Sequence, residues 1–441
     1  MKRKLLTVIL ALFLPLVSAG QQSLSAFLLT SVPNSDPGTL VCNLDDDHVC
    51  SSFTLSGTHY IGVMDITGFT AGTPVTPIAV SNWSTAANWD SLAFTDMQYH
   101  YYYYTHYVLY SGSYCSKGAI GIFTVNLFSY TVSTVNLFSI KEVDTVLNLV
   151  AYTDDITGNL RVAAIGRKYT SGVPQDYLID IPNIAYGMPS VHYRMTELAG
   201  ETIDEILLTG KHVVLVGRES DAVHNSLCYR VTEASNVTDS PALRYVYRHP
   251  GIGGSISGQV RATATETEEF AVAYMQGIDT VKMLTLAINT ADEVVLTGVQ
   301  KSTASNELKA MAYHPDKQLL SLLWPGAHPT RFSRFLLMRP YGTAPYATGE
   351  VLCGRIECHS LDDVGGIGFV AAGANGVTVQ RVDAISPFPS CHNVFTTTVL
   401  PASVPRMESE PLVERLIEQA SYSALGGPFA DENLLSVPCN Q

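Results

Sequence analysis

Charge is sparse along this chain, and positive charge sparsest. Only 15% of its 441 residues are Asp, Glu, Lys or Arg, with 26 basic residues against 40 acidic ones. A formal charge of −14 repels phosphate backbones and anionic lipid surfaces, and beyond residue 4 no basic run offers a local exception. Nucleic acid is thereby excluded as an expected partner. Tryptophan is rarer still: three residues are too few for a repeat in which every unit docks on a Trp, and Trp89-Asp90 is an isolated dipeptide. Catalytic signatures are missing as well. There is no His-Glu-x-x-His, no phosphate-binding Gly-x-x-x-x-Gly-Lys and no Gly-x-Ser-x-Gly, since Gly254-Ser-Ile-Ser-Gly258 places Ile256 where a nucleophile would stand. Gly366-Ile-Gly-Phe-Val-Ala371 reads as a strand with no helix behind it, which excludes a dinucleotide turn, and the sialidase box is absent.

Long apolar runs are confined to the beginning. Lys2, Arg3 and Lys4, the apolar stretch Leu5 to Val17 and the small-residue site Val17-Ser18-Ala19 have the grammar of a secretory signal peptide over residues 1–19. That apolar run is shorter than the ~20 residues a spanning helix needs. Removing the leader leaves 23 basic against 40 acidic residues, a formal −17. A soluble chain is expected, secreted, periplasmic or held at the cell surface, without direct membrane insertion after cleavage.

Eight cysteines follow the leader, an even number that in an exported chain favours disulfides over a metal. Eight thiols allow ~105 pairings, so proximity is the only guide. It suggests Cys42 with Cys50 and Cys353 with Cys358, each closing a short loop, and Cys391 with Cys439 stapling the tail. No cofactor is expected. Asp45-Asp-Asp-His48 carries oxygen ligands on a turn but lacks the alternating spacing of a Ca²⁺ loop and reads as a solvated acidic turn. Asp154-Asp155 and Asp362-Asp363 read as turn residues too, although acids from separate loops can serve glycoside chemistry when folding brings them together.

What the chain has in abundance is short β-branched and aromatic bursts punctuated by Gly, Asn, Asp and Ser. Central residues of the strongest bursts are Ile61, Tyr107, Ala163, Val214, Val272, Leu320 and Phe369, spaced by 46, 56, 51, 58, 48 and 49 residues. A period near fifty, holding about four strands, predicts the blade of a β-propeller, seven of them over residues 25–383; a stacked pair of β-sandwiches is the alternative. Ser25 to Ser31 is expected to supply the outer strand of the last blade and close the ring. Thr124-Val-Asn-Leu-Phe-Ser129 recurs verbatim as Thr134 to Ser139, a hairpin spacing that makes the copies adjacent strands. After Asp383 prolines break the pattern, and the tail over 384–441 contains an expected amphipathic helix from Glu408 to Ser421.

The most unusual segment is Tyr99-His-Tyr-Tyr-Tyr-Tyr-Thr-His-Tyr-Val-Leu-Tyr110. Read as one strand, it points Tyr99, Tyr101, Tyr103 and Tyr107 one way and His100, Tyr102, Tyr104 and His106 the other. Tyr101, Tyr103, Tyr107 and His106 are the candidate binding residues, because aromatic faces rimmed by hydroxyls suit sugar stacking or a protein hot spot.

The leader, the tail and units such as Tyr107-Val-Leu-Tyr-Ser-Gly112 followed by Gly118-Ala-Ile-Gly-Ile-Phe123 resemble exported propeller-type proteins of Bacteroidales bacteria. The resemblance implies an envelope or extracellular location and carries over no functional residue. The expected function is a non-enzymatic binding or scaffold protein holding a protein or glycan at one propeller face. The alternative is a glycan-active hydrolase or lyase with acids from separate blades, which a deep axial pocket with two carboxylates would favour.

Overall fold

The computed structural model describes strands and turns between residues 23 and 432, with side chains chiefly over 93–128, 138–185, 202–218, 227–237, 256–302, 307–325 and 336–341. The expected leader lies outside the described residues. After β1 (Ser23–Leu29), the chain lays down hairpin-connected sheets one after another. The first holds β2 (Ser35–Asn43), β3 (His48–Leu55), β4 (Thr58–Asp65) and β5 (Val80–Asn82). The second holds β6 (Leu92–Tyr102), β7 (Thr105–Tyr114), β8 (Lys117–Asn126) and β9 (Thr131–Ile140), and the third β10 (Thr145–Thr153), β11 (Leu160–Thr170), β12 (Val173–Ile181) and β13 (His192–Met195). The fourth holds β14 (Glu201–Thr209), β15 (His212–Ser220), β16 (Asn225–Glu233) and β17 (Tyr245–His249). The fifth holds β18 (Ile256–Glu266), β19 (Glu269–Gln276), β20 (Thr280–Ile288) and β21 (Val294–Thr303), and the sixth β22 (Ala310–His314), β23 (Leu319–Pro325), β24 (Ser333–Met338) and β25 (Pro345–Val351). β26 (Ile356–Asp362), β27 (Ile367–Gly373) and β28 (Gly376–Asp383) complete the series.

The described strands therefore form seven antiparallel sheets, and the first strand of each packs on the first strand of the next, with β26 returning to β2. This is a β-propeller. Its core is divided among the seams between sheets, which is why the middle strands are buried on both faces and read as unbroken apolar runs. Val213–Val216 of β15 and Leu319–Trp324 of β23 are buried throughout, and fully buried Tyr229 and Phe270 meet edge to face across the seam between the fourth and fifth sheets. Polar side chains pin the same seams: Tyr152 Oη donates to Ala234 O at 2.8 Å, and Thr209 Oγ1 to Glu266 O at 2.9 Å.

β1 pairs antiparallel with β28, Ser23 opposite Asp383 through Leu29 opposite Val377, so the first strand joins the last sheet as expected. The first copy of the duplicated hexapeptide begins on β8 and runs into the turn after Asn126, and the second lies on β9, with Thr124 opposite Thr134. Six of the seven repeat centres lie on the second strand of their sheet, but Ile61 lies on β4, the third strand. The strand equivalent to the others is β3, whose Ser51 and Ser52 conceal it in an apolar scan.

The tail departs from expectation. β29 (His392–Asn393), β30 (Val399–Pro401), β31 (Glu408–Pro411), β32 (Tyr422–Leu425) and β33 (Ala430–Glu432) add a fifth strand to the sixth, fifth, fourth, second and first sheets in turn. It runs backwards around the periphery. Residues 408–411, expected to open a helix, are instead a strand paired with Tyr245–Arg248, because an outer strand offers unpaired N–H and C=O groups and Pro411 disfavours helical backbone before it. Residues 412–421 lie outside the described residues.

Candidate functional site

The tyrosine segment is a β-hairpin and not a single strand. Tyr101 pairs with His106 and Tyr102 with Thr105, leaving Tyr103 and Tyr104 as a two-residue turn with φ of 43° and 60°. Both lie in the left-handed region that such turns usually fill with Asn and Gly. Folding back at this turn reverses the parity beyond it, so the expected faces need correction: Tyr99, Tyr101 and His106 share one face, while His100, Tyr102 and Tyr107 share the other.

On the first face Tyr99 stacks on His106 with centroids 5.8 Å apart, its hydroxyl 2.8 Å from Nδ1, and Tyr101 tilts against the same imidazole at 5.0 Å. Burial pushes the Tyr99 hydroxyl up to about 12 and His106 below its ordinary value. On the second face Tyr102 is buried and donates to Gly158 O of the third sheet at 2.8 Å, and half-buried Tyr107 packs against the seam core. Tyr107 is thus a packing residue. Tyr101, Tyr103 and Tyr104 remain open at 51%, 66% and 92% exposure, a cluster of aromatic surface at one ring face.

The strand that carries this tip also lines a cavity of about 760 Å³ on the axis, walled by the innermost strands. Its polar lining has a common origin. Among the described inner strands all but β22 are irregular in register, and in four successive ones the residue just past the irregularity is Asp96 in β6, Asn148 in β10, Glu205 in β14 and Arg261 in β18. All four line the cavity. Asn148 Nδ2 donates to Glu205 Oε2 at 2.7 Å, Arg261 Nη1 to Glu205 Oε1 at 2.9 Å, and Arg261 Nη2 to Gln259 Oε1 at 2.8 Å. The Asp96 carboxylate accepts from the backbone N–H of Met97 at 2.8 Å and of Leu149, in the next sheet, at 3.1 Å. Burial raises Asp96 to about 6 against the lowering by those two N–H groups. Burial also raises Glu205 to about 7, opposed by Arg261 and reinforced by Asp96.

None of these four was a candidate from sequence. A signal existed in the glycines. Gly112, Gly166, Gly217 and Gly373 each pair with the residue just before a bulge, and they lie 54, 51 and 156 residues apart, the last interval being three periods of 52. At Gly112 and Gly217 a Cβ would come within 1.9 Å of Ala93 O and 2.2 Å of Thr202 O, so the bulged strand demands a bare backbone opposite it.

The remaining candidates divide. Asp45 pairs with His48 at 2.7 Å, while Asp46 and Asp47 lie outside the described residues. Asp154 caps its own turn through the N–H groups of Ile156 and Thr157 and binds Arg161, a structural role. Cys42 and Cys50 are direct cross-strand neighbours, both buried, with no disulfide joining them in this structure. Cys353, Cys391 and Cys439 lie outside the described residues, and Cys358 is described only as backbone in β26.

No family model matches this chain, and no curated protein does. Among solved structures it is similar to the Dos1 propeller, at 10% identity over 81% of this chain and 94% of that one, with a TM-score of 0.44. A likeness at that level adds nothing to the propeller read from the chain's own sheets.

Proposed function

We propose that this is an exported, non-enzymatic binding protein of the cell surface or extracellular space that captures a protein partner at the ring face bearing the tyrosine hairpin. The observation that carries the reading is the turn itself. Tyr103 and Tyr104 occupy left-handed backbone at a cost of ~1–2 kcal/mol each and hold their rings in solvent. A turn selected for folding alone would use Asn-Gly, and strain held by exposed aromatics is characteristic of recognition sites. The leader supports export, and the acidic charge favours a partner with a basic face.

The carboxylates Asp96 and Glu205 favour a glycan-active hydrolase as the second reading. Their partners weigh against it: Glu205 is engaged by Asn148 and Arg261, and Asp96 by two backbone amides, so neither acid is free in the way a proton donor or nucleophile is.

The test compares the mature chain with a double variant, Tyr103→Asn with Tyr104→Gly, as baits for surface proteins from the source cells and on a glycan array. The variant should gain thermal stability and lose the partner. Equal retention by both baits would overturn the reading. Retention of a glycan that only the wild type binds would shift the partner class from protein to sugar.

A further inference from the structure

We infer that the axial cavity binds a small, neutral, hydroxyl-rich molecule of the saccharide class, held by Asp96, Asn148, Glu205 and Arg261 with Gln259 at the rim. This site is distinct from the hairpin tip, and the inference stands without the proposal made for that tip. The volume of about 760 Å³ lies in the range of small-molecule sites, ~300–1,000 Å³.

Charge decides the ligand class. The lining mixes signs at close range: Asp96, Asp204 and Glu205 stand among Arg167, Arg261 and Lys309. The cations are themselves engaged, Arg167 with Asp176 at 2.6 Å, Arg261 with Glu205 at 2.9 Å and Lys309 with Glu307. An anionic ligand would meet Asp96 and Glu205, and a cationic one would meet Arg261. Either sign of ligand therefore meets a like charge on one wall, which disfavours both.

A sugar hydroxyl both donates and accepts, and this lining presents acceptors and donors side by side. Carboxylate and amide alternate at Glu205 and Asn148, and guanidinium and amide at Arg261 and Gln259. Arg261 Nε is buried without a hydrogen-bond partner, a donor that a ligand hydroxyl would satisfy. Phe94 and Tyr99 contribute aromatic surface to the same wall. Four successive sheets supply the polar lining, each from the residue just past an irregularity in its inner strand, so it is a product of the fold's repeat and not of one loop.

The experiment titrates the mature chain with neutral monosaccharides and disaccharides by calorimetry and ligand-observed NMR, with putrescine and citrate as charged probes. A neutral sugar should bind, and Gln259→Ala and Asp96→Asn should each weaken it about tenfold or more. Gln259 is exposed, so its truncation leaves the fold intact, and thermal unfolding of each variant checks this. Ile278→Ser, at an exposed turn remote from the cavity, should leave binding unchanged. The inference fails if no sugar in the panel binds the folded chain, if sugar binding ignores both cavity variants, or if putrescine or citrate binds more tightly.

Discussion

Arg161 and Asp180 form a two-pronged ion pair across β11 and β12, Nε donating to Oδ1 and Nη2 to Oδ2, each at 2.7 Å. The remaining nitrogen, Nη1, reaches Asp154 Oδ2 at 2.8 Å and, at 2.7 Å, Ser235 O in the 3-10 turn that follows β16 of the fourth sheet. One guanidinium therefore neutralises two buried carboxylates and staples two sheets. Arg161→Met should destabilise the fold by roughly 3–5 kcal/mol, because Asp154 and Asp180 are left buried without a counter-charge. Arg161→Lys should recover only part of that, lacking the planar fork. Urea unfolding reads the result as a lower midpoint; an unchanged midpoint in Arg161→Met would show the pair to be energetically idle.

The glycines opposite the bulges and the glycines in turns should respond differently to one added methyl. Gly112→Ala drives Cβ into the backbone oxygen of Ala93, which a side-chain rotation cannot relieve, and should cost about 3 kcal/mol. Gly277→Ala adds Cβ in open space at φ +69° and should cost only about 1 kcal/mol, the left-handed penalty alone. Thermal unfolding of the two variants side by side would reverse the explanation if Gly277→Ala proved the more damaging.

These two cases show what the sequence could and could not display. The doubly buried middle strands were legible because burial on both faces leaves an apolar run, as in Val213–Val216. β3 is hidden by its serines, and the hairpin turn at Tyr103-Tyr104 by the lack of Asn or Gly, so a one-strand reading of the segment puts the side chains beyond the turn on the wrong faces. The cavity ring was invisible for a different reason. Asp96, Asn148 and Glu205 precede their paired-strand glycines by 16, 18 and 12 residues, since the hairpin arms differ in length and the β10–β11 turn is longer than the two-residue turns of the other two hairpins. Corresponding positions are thereby out of step along the chain, and their residue types differ because they serve one another between neighbouring inner strands.

Asp96 and Glu205 set the expected pH dependence. Burial holds Asp96 at about 6 where an unfolded chain has 3.8, and Glu205 at about 7 where it has 4.5. Between those limits the folded state binds more protons than the unfolded one, so the stability these groups contribute is full below the unfolded values and is lost as pH rises through about 6 and 7. His100 and His106, lowered by burial, act in the opposite sense as pH falls past 6.5. The difference between wild type and Asp96→Asn isolates one group. From pH 8 to pH 5 the wild type should gain on the variant by on the order of 1–2 kcal/mol. Parallel pH profiles for the two proteins would remove Asp96 from the account.

Closure by the first strand makes a prediction about cooperativity. β1 contributes seven paired residues to β28, whereas β33 adds three to an outer edge at β5. Deleting residues 23–29 leaves β28 with an open ladder and the ring without the link between its first and last sheets, so unfolding should broaden and the midpoint should fall sharply. The exposed edge should also promote self-association. Deleting residues 430–432 removes a short peripheral strand and should change little. A synthetic peptide of residues 23–29, added to the shortened chain, should pair with β28 and restore a single sharp transition in proportion to its concentration. If both deletions behave alike, or if the peptide restores nothing, β1 is an ornament on a ring already closed by the packing of β26 on β2.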